Sequence, residues 1–209
     1  MILNLDELVK KYDMNIRGVL HIGAHFGEEN SAYDRLSIKN RAFFEPVKNN
    51  FKKLKESVSG DHKLFNIALG NINGVERMHV ETVNLGQSSS ILKPKLHLVQ
   101  YPHIQFPQIE IVPIHRLDDF SEIDALDYNF INMDVQGYEL EVLKGAEKTL
   151  NTIDYVMTEI NRDEVYENCA RIEQLIEFLK SYGFEFVEQD WGGETWGDGF
   201  FVKNKTAVK

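Results

Sequence analysis

A glycine-containing turn near the start of the chain has the composition of a ligand-binding turn. The segment VLHIGAHFGEEN places Gly23 and Gly27 directly after an apolar run. Glycine at these points lets the backbone approach a ligand closely at the carboxyl edge of a parallel sheet. Glu45 ends the next apolar run, and an acid about 20 residues beyond such a turn can accept both hydroxyls of a ribose. Together they predict a nucleoside-containing ligand.

The charges beside this turn distinguish between two classes of nucleoside ligand. Dinucleotide sites normally read GxGxxG and hold a pyrophosphate at a helix N-terminus. Here the turn reads GAHFG, and Glu28 and Glu29 follow it. These carboxylates would repel a pyrophosphate, whereas S-adenosylmethionine has no phosphate and carries a sulfonium and an ammonium. We therefore expect S-adenosylmethionine. An NAD-dependent reductase, against which the absence of a Tyr-x-x-x-Lys pair also counts, and a non-catalytic module that binds S-adenosylmethionine remain alternatives.

A second group of polar residues indicates where acid–base chemistry would occur. Asp134 and Glu159 each stand at the carboxyl end of a predicted strand, and these strands are expected to be neighbours. A hydroxyl is a poor nucleophile that gains from a general base, and both acids are candidates for that role. His25 and His115 are weaker candidates, since a turn histidine usually serves structure. Asp134 and Glu159 could also share a metal ion, but the sequence offers no obvious third ligand, so we expect no metal site.

Apolar runs alternate with helical patterns along most of the chain, which predicts an α/β fold with a mostly parallel sheet. An amphipathic helix is expected within residues 1–16, and further helices at 27–36, from Pro46 to near Gly60, at 137–150, and from Ile172 to Gly183. The predicted strands are 18–22, 41–45, 63–68, 75–83, 109–114, 128–135, 155–160, 184–187 and 199–202.

The middle of the chain departs from this alternation. Residues 84–107 contain three prolines and three serines and read as a long loop, of the kind that forms a lid or an acceptor-binding loop. His97, Tyr101 and other aromatic residues of this loop can either stack on a flat acceptor such as a sugar or pack back onto the domain. Trp191 and Trp196 can likewise either contact a carbohydrate or pack in the core.

Composition restricts the classes of protein that fit. The 209 residues suit a single domain, 1–209, and their formal net charge of −10 argues against a nucleic-acid partner. Cys169 is the only cysteine, so no internal disulfide forms. The sequence has neither a signal-peptide pattern nor an apolar run that spans a membrane, and we expect a cytoplasmic protein.

The chain resembles the FkbM-type methyltransferases, a branch of the Rossmann-like class I methyltransferases. The resemblance implies O-methylation of a hydroxyl, often on a sugar or a polyketide-type product, and a seven-stranded sheet whose last strand is antiparallel. The family typically has a glutamate where Gln136 stands and often a lysine where Asn132 stands. The matching motifs are VLHIGAHFGEE, FFEP at 43–46, NIALGN at 66–71, SSSIL at 88–92, IHRLDDF at 114–120, INMDVQGYELEVLKGA at 131–146 and YVMTEI at 155–160.

The resemblance also implies a cofactor site. Gly23, Ala24 and Gly27 would line the methionine end, Glu45 would bind the ribose, and residues 66–69 would lie near the adenine. The predicted cofactor-binding residues are His21, Gly23, Ala24, His25, Gly27, Glu28, Glu45, Pro46, Asn66, Ala68, Leu69, Asp134 and Gln136.

The sequence thus predicts a methyltransferase that modifies a hydroxyl of a small molecule or, by preference, a glycan. It leaves open whether the chain acts alone or within a larger glycan-building enzyme.

Overall fold

The computed structural model describes residues 1–204, so the last five residues of the predicted domain 1–209 lie outside the described residues. The helices are α1 (Leu5–Lys11), α2 (Asn30–Arg35), α3 (Lys48–Ser57), α4 (Leu96–Gln100), α5 (Glu139–Lys144) and α6 (Ile172–Ser181). The strands are β1 (Gly18–Ile22), β2 (Asn40–Phe44), β3 (Lys63–Phe65), β4 (Ala68–Leu69), β5 (Gly74–Val80), β6 (Gln108–His115), β7 (Phe130–Met133), β8 (Tyr155–Asn161), β9 (Phe184–Trp191) and β10 (Trp196–Lys203).

Seven strands form the main sheet in the order β3-β2-β1-β7-β8-β10-β9. The pairs from β3 to β8 are parallel, while β10 is antiparallel to both β8 and β9. The last strand therefore lies inside the sheet, next to β8, and runs against its neighbours. This confirms the predicted Rossmann-like fold with an antiparallel last strand.

Both faces of the main sheet are covered, which is why β1 is buried at every position. Leu20 and Ile22 pack with residues of α5 and α6 on one face. Val19 packs on the other face with residues of α1 to α3, among them Leu8 and Tyr33. Helices thus form a layer on each side of the sheet, and only the strand ends are left for a ligand.

The carboxyl ends of four strands, β1, β2, β3 and β7, are tied together by backbone hydrogen bonds. The Gly23 N–H donates to the carbonyl of Phe44 at 2.9 Å, and the Asp134 N–H donates to the carbonyl of Ile22 at 3.0 Å. Glu45 donates in the same way to Phe65 at 3.0 Å. The residues that follow β1, β2 and β7 are therefore fixed side by side at one edge of the sheet.

The predicted strand 63–68 is divided between two sheets. Its first part is β3, whereas β4 pairs with β6 in a separate three-stranded sheet ordered β4-β6-β5. Asn66 lies at the break, where its side-chain amide donates to the carbonyls of Glu45 and Pro46 at 2.8 and 2.9 Å. Local side-chain hydrogen bonds of this kind compete with ladder pairing, and they end the strand here.

The helices that follow β1 and β7 are shorter than predicted because both begin after left-handed residues. Gly27 has φ +80°, so α2 starts at Asn30 rather than at 27. Gln136 and Gly137 have φ +55° and +96°, and α5 starts at Glu139. A one-turn 3-10 helix at Thr149–Asn151 replaces the end of the predicted helix 137–150. No helix in residues 1–204 is both long and apolar enough to cross a membrane.

The segment 84–107 is not a structureless loop. It contains α4, and the backbone amides of Lys95 and His97 both donate to the carbonyl of Val165, at 3.0 and 3.1 Å. Glu167 donates in return to the carbonyl of Lys93 at 2.8 Å. These bonds hold the segment against residues 163–169, where it forms one wall of the cavity described below.

Candidate active site

A cavity of about 540 Å³ opens at the carboxyl edge of the main sheet. This volume is within the range of pockets that bury a drug-sized ligand. Gly27 and Asn66, which were predicted to be in the cofactor site, do not line it. The predicted residues that do line it are His21, Gly23, Ala24, His25, Glu28, Glu45, Pro46, Ala68, Leu69, Asp134, Gln136 and Glu159.

Gly23 is required by the close packing of two backbone segments at the cavity. It has φ +77°, and a Cβ atom at this position would lie 1.9 Å from the backbone carbonyl oxygen of Asp134. Gly27, by contrast, faces Leu54 and Val58 of the core. The two glycines of the motif therefore have different roles: one shapes the cavity and the other allows helix packing.

Glu45 is a buried acid whose two oxygens are each held by one backbone amide. His25 N–H donates to Oε2 at 2.9 Å and Val47 N–H donates to Oε1 at 2.8 Å. Burial raises the pKa of Glu45 to about 7, although these hydrogen bonds act against the rise. Each oxygen of a carboxylate can accept more than one hydrogen bond, so both retain capacity for a ligand hydroxyl.

His25 joins the glycine turn to the segment 84–107. Its Nδ1 is 2.6 Å from Oε1 of Glu28, and its Nε2 is 3.0 Å from the carbonyl oxygen of Leu85. Burial alone would lower the pKa of His25, but these two hydrogen bonds raise it overall. Because both ring nitrogens are engaged, His25 serves here as a turn residue. His115 lies on β6, contacts Phe120, and is not part of the cavity.

His21 forms part of the cavity floor and belongs to a buried polar chain. Its Nδ1 is 3.3 Å from the hydroxyl oxygen of Tyr33. Asn132 donates to the same hydroxyl through Nδ2 at 2.6 Å. Burial lowers the pKa of His21, which favours the neutral ring.

Three carboxylates meet where β7 and β8 end. Asp134 and Glu159 were expected here, whereas Glu139 was not singled out from the sequence and lies in the first turn of α5, where acids usually face solvent. It is fully buried instead, and its Oε1 accepts the N–H groups of Val135 and Gly137, both at 3.1 Å. Burial, with Asp134 close by, raises the pKa of Glu139 to about 7. The same causes raise the pKa of Glu159 well above its ordinary value.

Gln136 links two of these carboxylates. Its Nε2 donates to Oδ1 of Asp134 at 2.7 Å and to Oε2 of Glu159 at 2.8 Å, while its Oε1 accepts from the Tyr166 hydroxyl at 2.7 Å. The glutamate typical of this position could not donate either bond. The amide of Gln136 therefore bridges the two acids, as a shared proton or a cation would otherwise do.

The structure changes the argument about a metal. One oxygen from each of Asp134, Glu139 and Glu159 lies within 4.8 Å of the others, so a third carboxylate is present after all. The sequence-based reason for expecting no metal was wrong. The absence of a metal stays a prediction. It now rests on the Gln136 amide, which already donates hydrogen bonds to two of the three acids.

The segment 84–107 and the start of β10 supply the remaining wall. His97 and Tyr101 line the cavity, and so does Trp196, whose Nε1 donates to the Tyr101 hydroxyl at 2.8 Å. Phe106 packs behind this wall, and Trp191 lies outside the cavity beneath the guanidinium of Arg162. This wall has four further polar residues that were not predicted from the sequence, Asn84, Gln87, Ser88 and Ser89, although the motif SSSIL contains two of them.

The chemistry of the lining indicates which ligand fits. Among residues 1–204, no lysine or arginine lines the cavity, whereas Glu28, Glu29, Glu45, Asp134 and Glu159 do. Such a lining disfavours phosphate groups and suits a nucleoside that carries positive charge.

Comparison with known proteins supports this interpretation. Residues 21–186 match the methyltransferase FkbM domain. The chain belongs to the FkbM methyltransferase family. It is 31% identical over 180 residues to the 2-O-methyltransferase NoeI of Sinorhizobium fredii (strain NBRC 101917 / NGR234), and this match covers 82% of the chain and 73% of that protein.

Solved structures show the same fold at low sequence identity. Magnesium protoporphyrin IX methyltransferase of Synechocystis PCC 6803, solved with S-adenosylmethionine bound, has a TM-score of 0.52 at 10% identity, covering 95% of this chain and 77% of that one. Ribosomal protein L11 methylase of Lactobacillus delbrueckii subsp. bulgaricus has a TM-score of 0.52 at 11% identity, covering 95% and 76%. These structures support the fold, while the match to the FkbM domain shows that this protein is a methyltransferase, and its cofactor is S-adenosylmethionine.

Proposed function

We propose that this FkbM methyltransferase transfers the methyl group to a sugar hydroxyl, with Asp134 or Glu159 as the general base. The observation that carries the proposal is the placement of Glu45 and of the Asp134–Glu159 pair around one cavity. Glu45 can then accept two hydrogen bonds from a bound cofactor, and the pair of acids can remove a proton from a substrate that lies in the same cavity.

The cofactor placement follows from the chemistry of each part of the lining. The turn at Gly23 and Ala24 offers close backbone approach for the methionine end. The Glu45 carboxylate has free lone pairs for the ribose hydroxyls. Ala68 and Leu69, both buried and apolar, suit the flat face of the adenine. When bound, S-adenosylmethionine supplies an electrophilic methyl group on a positively charged sulfur.

The acids at the ends of β7 and β8 would prepare the acceptor. An ionised carboxylate would take the proton of the acceptor hydroxyl as its oxygen bonds the methyl carbon, and the carbon–sulfur bond would break to release neutral S-adenosylhomocysteine. Gln136 holds the side chains of Asp134 and Glu159 in place by hydrogen bonds of 2.7 and 2.8 Å. Alignment of acceptor and donor would supply much of the rate, since the reaction is a direct displacement.

The choice of a sugar rests on two supports. The related NoeI is a 2-O-methyltransferase, which makes a hydroxyl the favoured acceptor. The cavity wall beside the acids contains the rings of Tyr101 and Trp196 together with polar groups, a combination that suits the apolar faces and hydroxyls of a carbohydrate.

A radiolabelled methyl donor tests the proposal. The purified chain is incubated with labelled S-adenosylmethionine and panels of methyl glycosides, polyketides and peptides. We expect label on glycosides, in a bond stable to mild base as an ether is. Label only on peptides or polyketides would refute the sugar acceptor while leaving methyl transfer intact.

A further inference from the structure

His97 lies on the cavity wall with hydrogen-bonding capacity that the protein does not use. Its side chain is 5% exposed, and it lines the same cavity as the acids. The ring atom Nδ1 is buried and has no hydrogen-bond partner among residues 1–204. A buried polar atom without a partner is unfavourable in a folded protein, and its presence in a residue that lines a binding cavity is a reason to look for a ligand there.

The position of His97 is fixed, so the free nitrogen is not the result of a loose side chain. Its backbone amide donates to the carbonyl of Val165 at 3.1 Å. The ring centroid lies 5.1 Å from that of Tyr101, 5.3 Å from that of Phe106 and 5.6 Å from that of Tyr166. Burial lowers the pKa of His97, which keeps the ring neutral, with one nitrogen as donor and the other as acceptor.

Tyr101 adds a hydroxyl beside this ring. The hydroxyl oxygen accepts from Nε1 of Trp196 at 2.8 Å, and because that contact uses a lone pair, the hydroxyl proton can still be donated. Thr195 donates to Oε1 of Gln100 at 3.0 Å, which ties the start of β10 to α4 a second time. The wall therefore presents a hydroxyl, an imidazole and an indole that are held together.

The same wall adjoins the proposed base. The Tyr166 ring contacts His97, and the Tyr166 hydroxyl donates to Oε1 of Gln136. The amide of Gln136 in turn bonds Asp134 and Glu159. A molecule that rests on His97 and Tyr101 would consequently lie next to the carboxylates that are proposed to take the proton.

We propose that His97, Tyr101 and Trp196 form the acceptor subsite, in which His97 and Tyr101 bind hydroxyl groups of one sugar ring that are not methylated. Trp196 contacts the apolar face of that ring. This inference rests on the proposed function and adds the residues that select the acceptor.

Steady-state kinetics with a methyl glycoside from the labelling screen tests the subsite. His97→Phe keeps an aromatic ring and removes the nitrogens, and Tyr101→Phe removes only the hydroxyl. Each should raise the KM for the glycoside by about 5–10-fold, the effect of one lost hydrogen bond, with kcat within about twofold. The dissociation constant of S-adenosylmethionine, measured by calorimetry, should not change. The matched control is His115→Phe, a histidine outside the cavity, which should leave both constants unchanged.

Deoxy glycosides make the test independent of folding effects. On an analogue that lacks the hydroxyl bound by His97, wild-type enzyme and His97→Phe should have equal KM values. A folded His97→Phe enzyme with unchanged KM on every accepted glycoside would overturn the subsite alone. If His97→Phe does not fold, His97→Leu, which also lacks hydrogen-bonding groups, takes its place with the same expected result. Normal binding of S-adenosylmethionine without methylation of any glycoside would overturn both the subsite and the sugar acceptor, whereas no binding would contradict the cofactor site.

Discussion

At the scale of single residues, the difference in burial between Asp134 and Glu159 distinguishes the two candidate bases. Glu159 is buried, and its pKa is raised well above the ordinary value by burial and by Asp134, which favours its protonated form. Asp134 is only partly buried. A general base must be ionised before it can take a proton, so the raised pKa of Glu159 counts against it and leaves Asp134 as the better candidate.

Substitution of each acid by its amide tests this assignment. Asp134→Asn should lower kcat by ~10²–10⁴-fold, the usual contribution of a general base, with little change in cofactor affinity. Glu159→Gln should have a clearly smaller effect. Labelled methyl transfer gives kcat and calorimetry gives the affinity. A larger loss in Glu159→Gln would reverse the assignment, and full activity in both variants would remove the acids from proton transfer.

Metal removal tests whether the hydrogen bonds of Gln136 replace a metal ion at the three carboxylates. Because its amide already donates to Asp134 and Glu159, we expect turnover to persist in EDTA at close to the untreated rate. A metal ion would have to displace that amide before it could bind both acids. Loss of turnover in EDTA that magnesium restores would show that the three carboxylates hold a required cation.

The sequence could predict those cavity-lining residues whose position follows from strand order, such as Gly23, Glu45 and Asp134. Each stands directly after a strand, so the parallel sheet brings them together. Glu139 could not be found in this way, because a glutamate in a first helical turn usually faces solvent and its burial depends on residues 134–138 folding back over it. The role of His97 depends likewise on how the segment 84–107 packs.

At the scale of elements, the close approach of the turn after β1 to the turn after β7 determines the shape of the cavity. Gly23→Ala would place a Cβ atom 1.9 Å from the carbonyl oxygen of Asp134 at φ +77°, so it should destabilise the fold by more than ~1 kcal/mol. It should also weaken cofactor binding by the molecules that remain folded. Thermal unfolding and calorimetry measure the two effects.

Gly145→Ala is the matched control for this substitution. Its Cβ atom would lie equally close, 1.9 Å from the carbonyl oxygen of Gly70, but Gly145 does not line the cavity. It should therefore lower stability without changing the affinity of the folded protein for S-adenosylmethionine. Normal affinity in folded Gly23→Ala would contradict a role for this turn in cofactor binding.

Element types were predictable from alternating apolar patterns, whereas several boundaries were not. The strand 63–68 looks continuous in sequence, but the Asn66 side chain bonds two backbone carbonyls and diverts the chain into the second sheet. In the same way, the left-handed conformation of Gln136 delays the start of α5. This conformation could not be predicted from the sequence, because glutamine rarely adopts it.

At the scale of the whole molecule, buried acids give the fold an unusual pH dependence. Burial raises the pKa of Glu45 and of Glu139 to about 7 and that of Asp198 to about 6. The folded chain thus holds these protons more tightly than the unfolded chain does. Their contribution to stability is fully present below the unfolded pKa values, near 4, and is lost as pH rises through 6 to 7.

Glu139→Gln isolates one part of this effect, since glutamine imitates the protonated acid and keeps an oxygen for the amides of Val135 and Gly137. Relative to wild type, the variant should gain stability as pH rises, by on the order of 1–3 kcal/mol at pH 8. Near pH 4.5 the two proteins should be equally stable. Urea unfolding across this range measures the difference, and a difference that does not vary with pH would show that Glu139 does not titrate as described.

A crystal structure of the chain with S-adenosylhomocysteine tests the central claim most directly, because it locates the cofactor without any knowledge of the acceptor. We predict ligand density in the cavity between Gly23, Glu45 and Asp134, with the ribose hydroxyls on the Glu45 carboxylate and the sulfur on the side of Asp134. Ribose density that makes no contact with Glu45, or a ligand bound outside this cavity, would contradict the account.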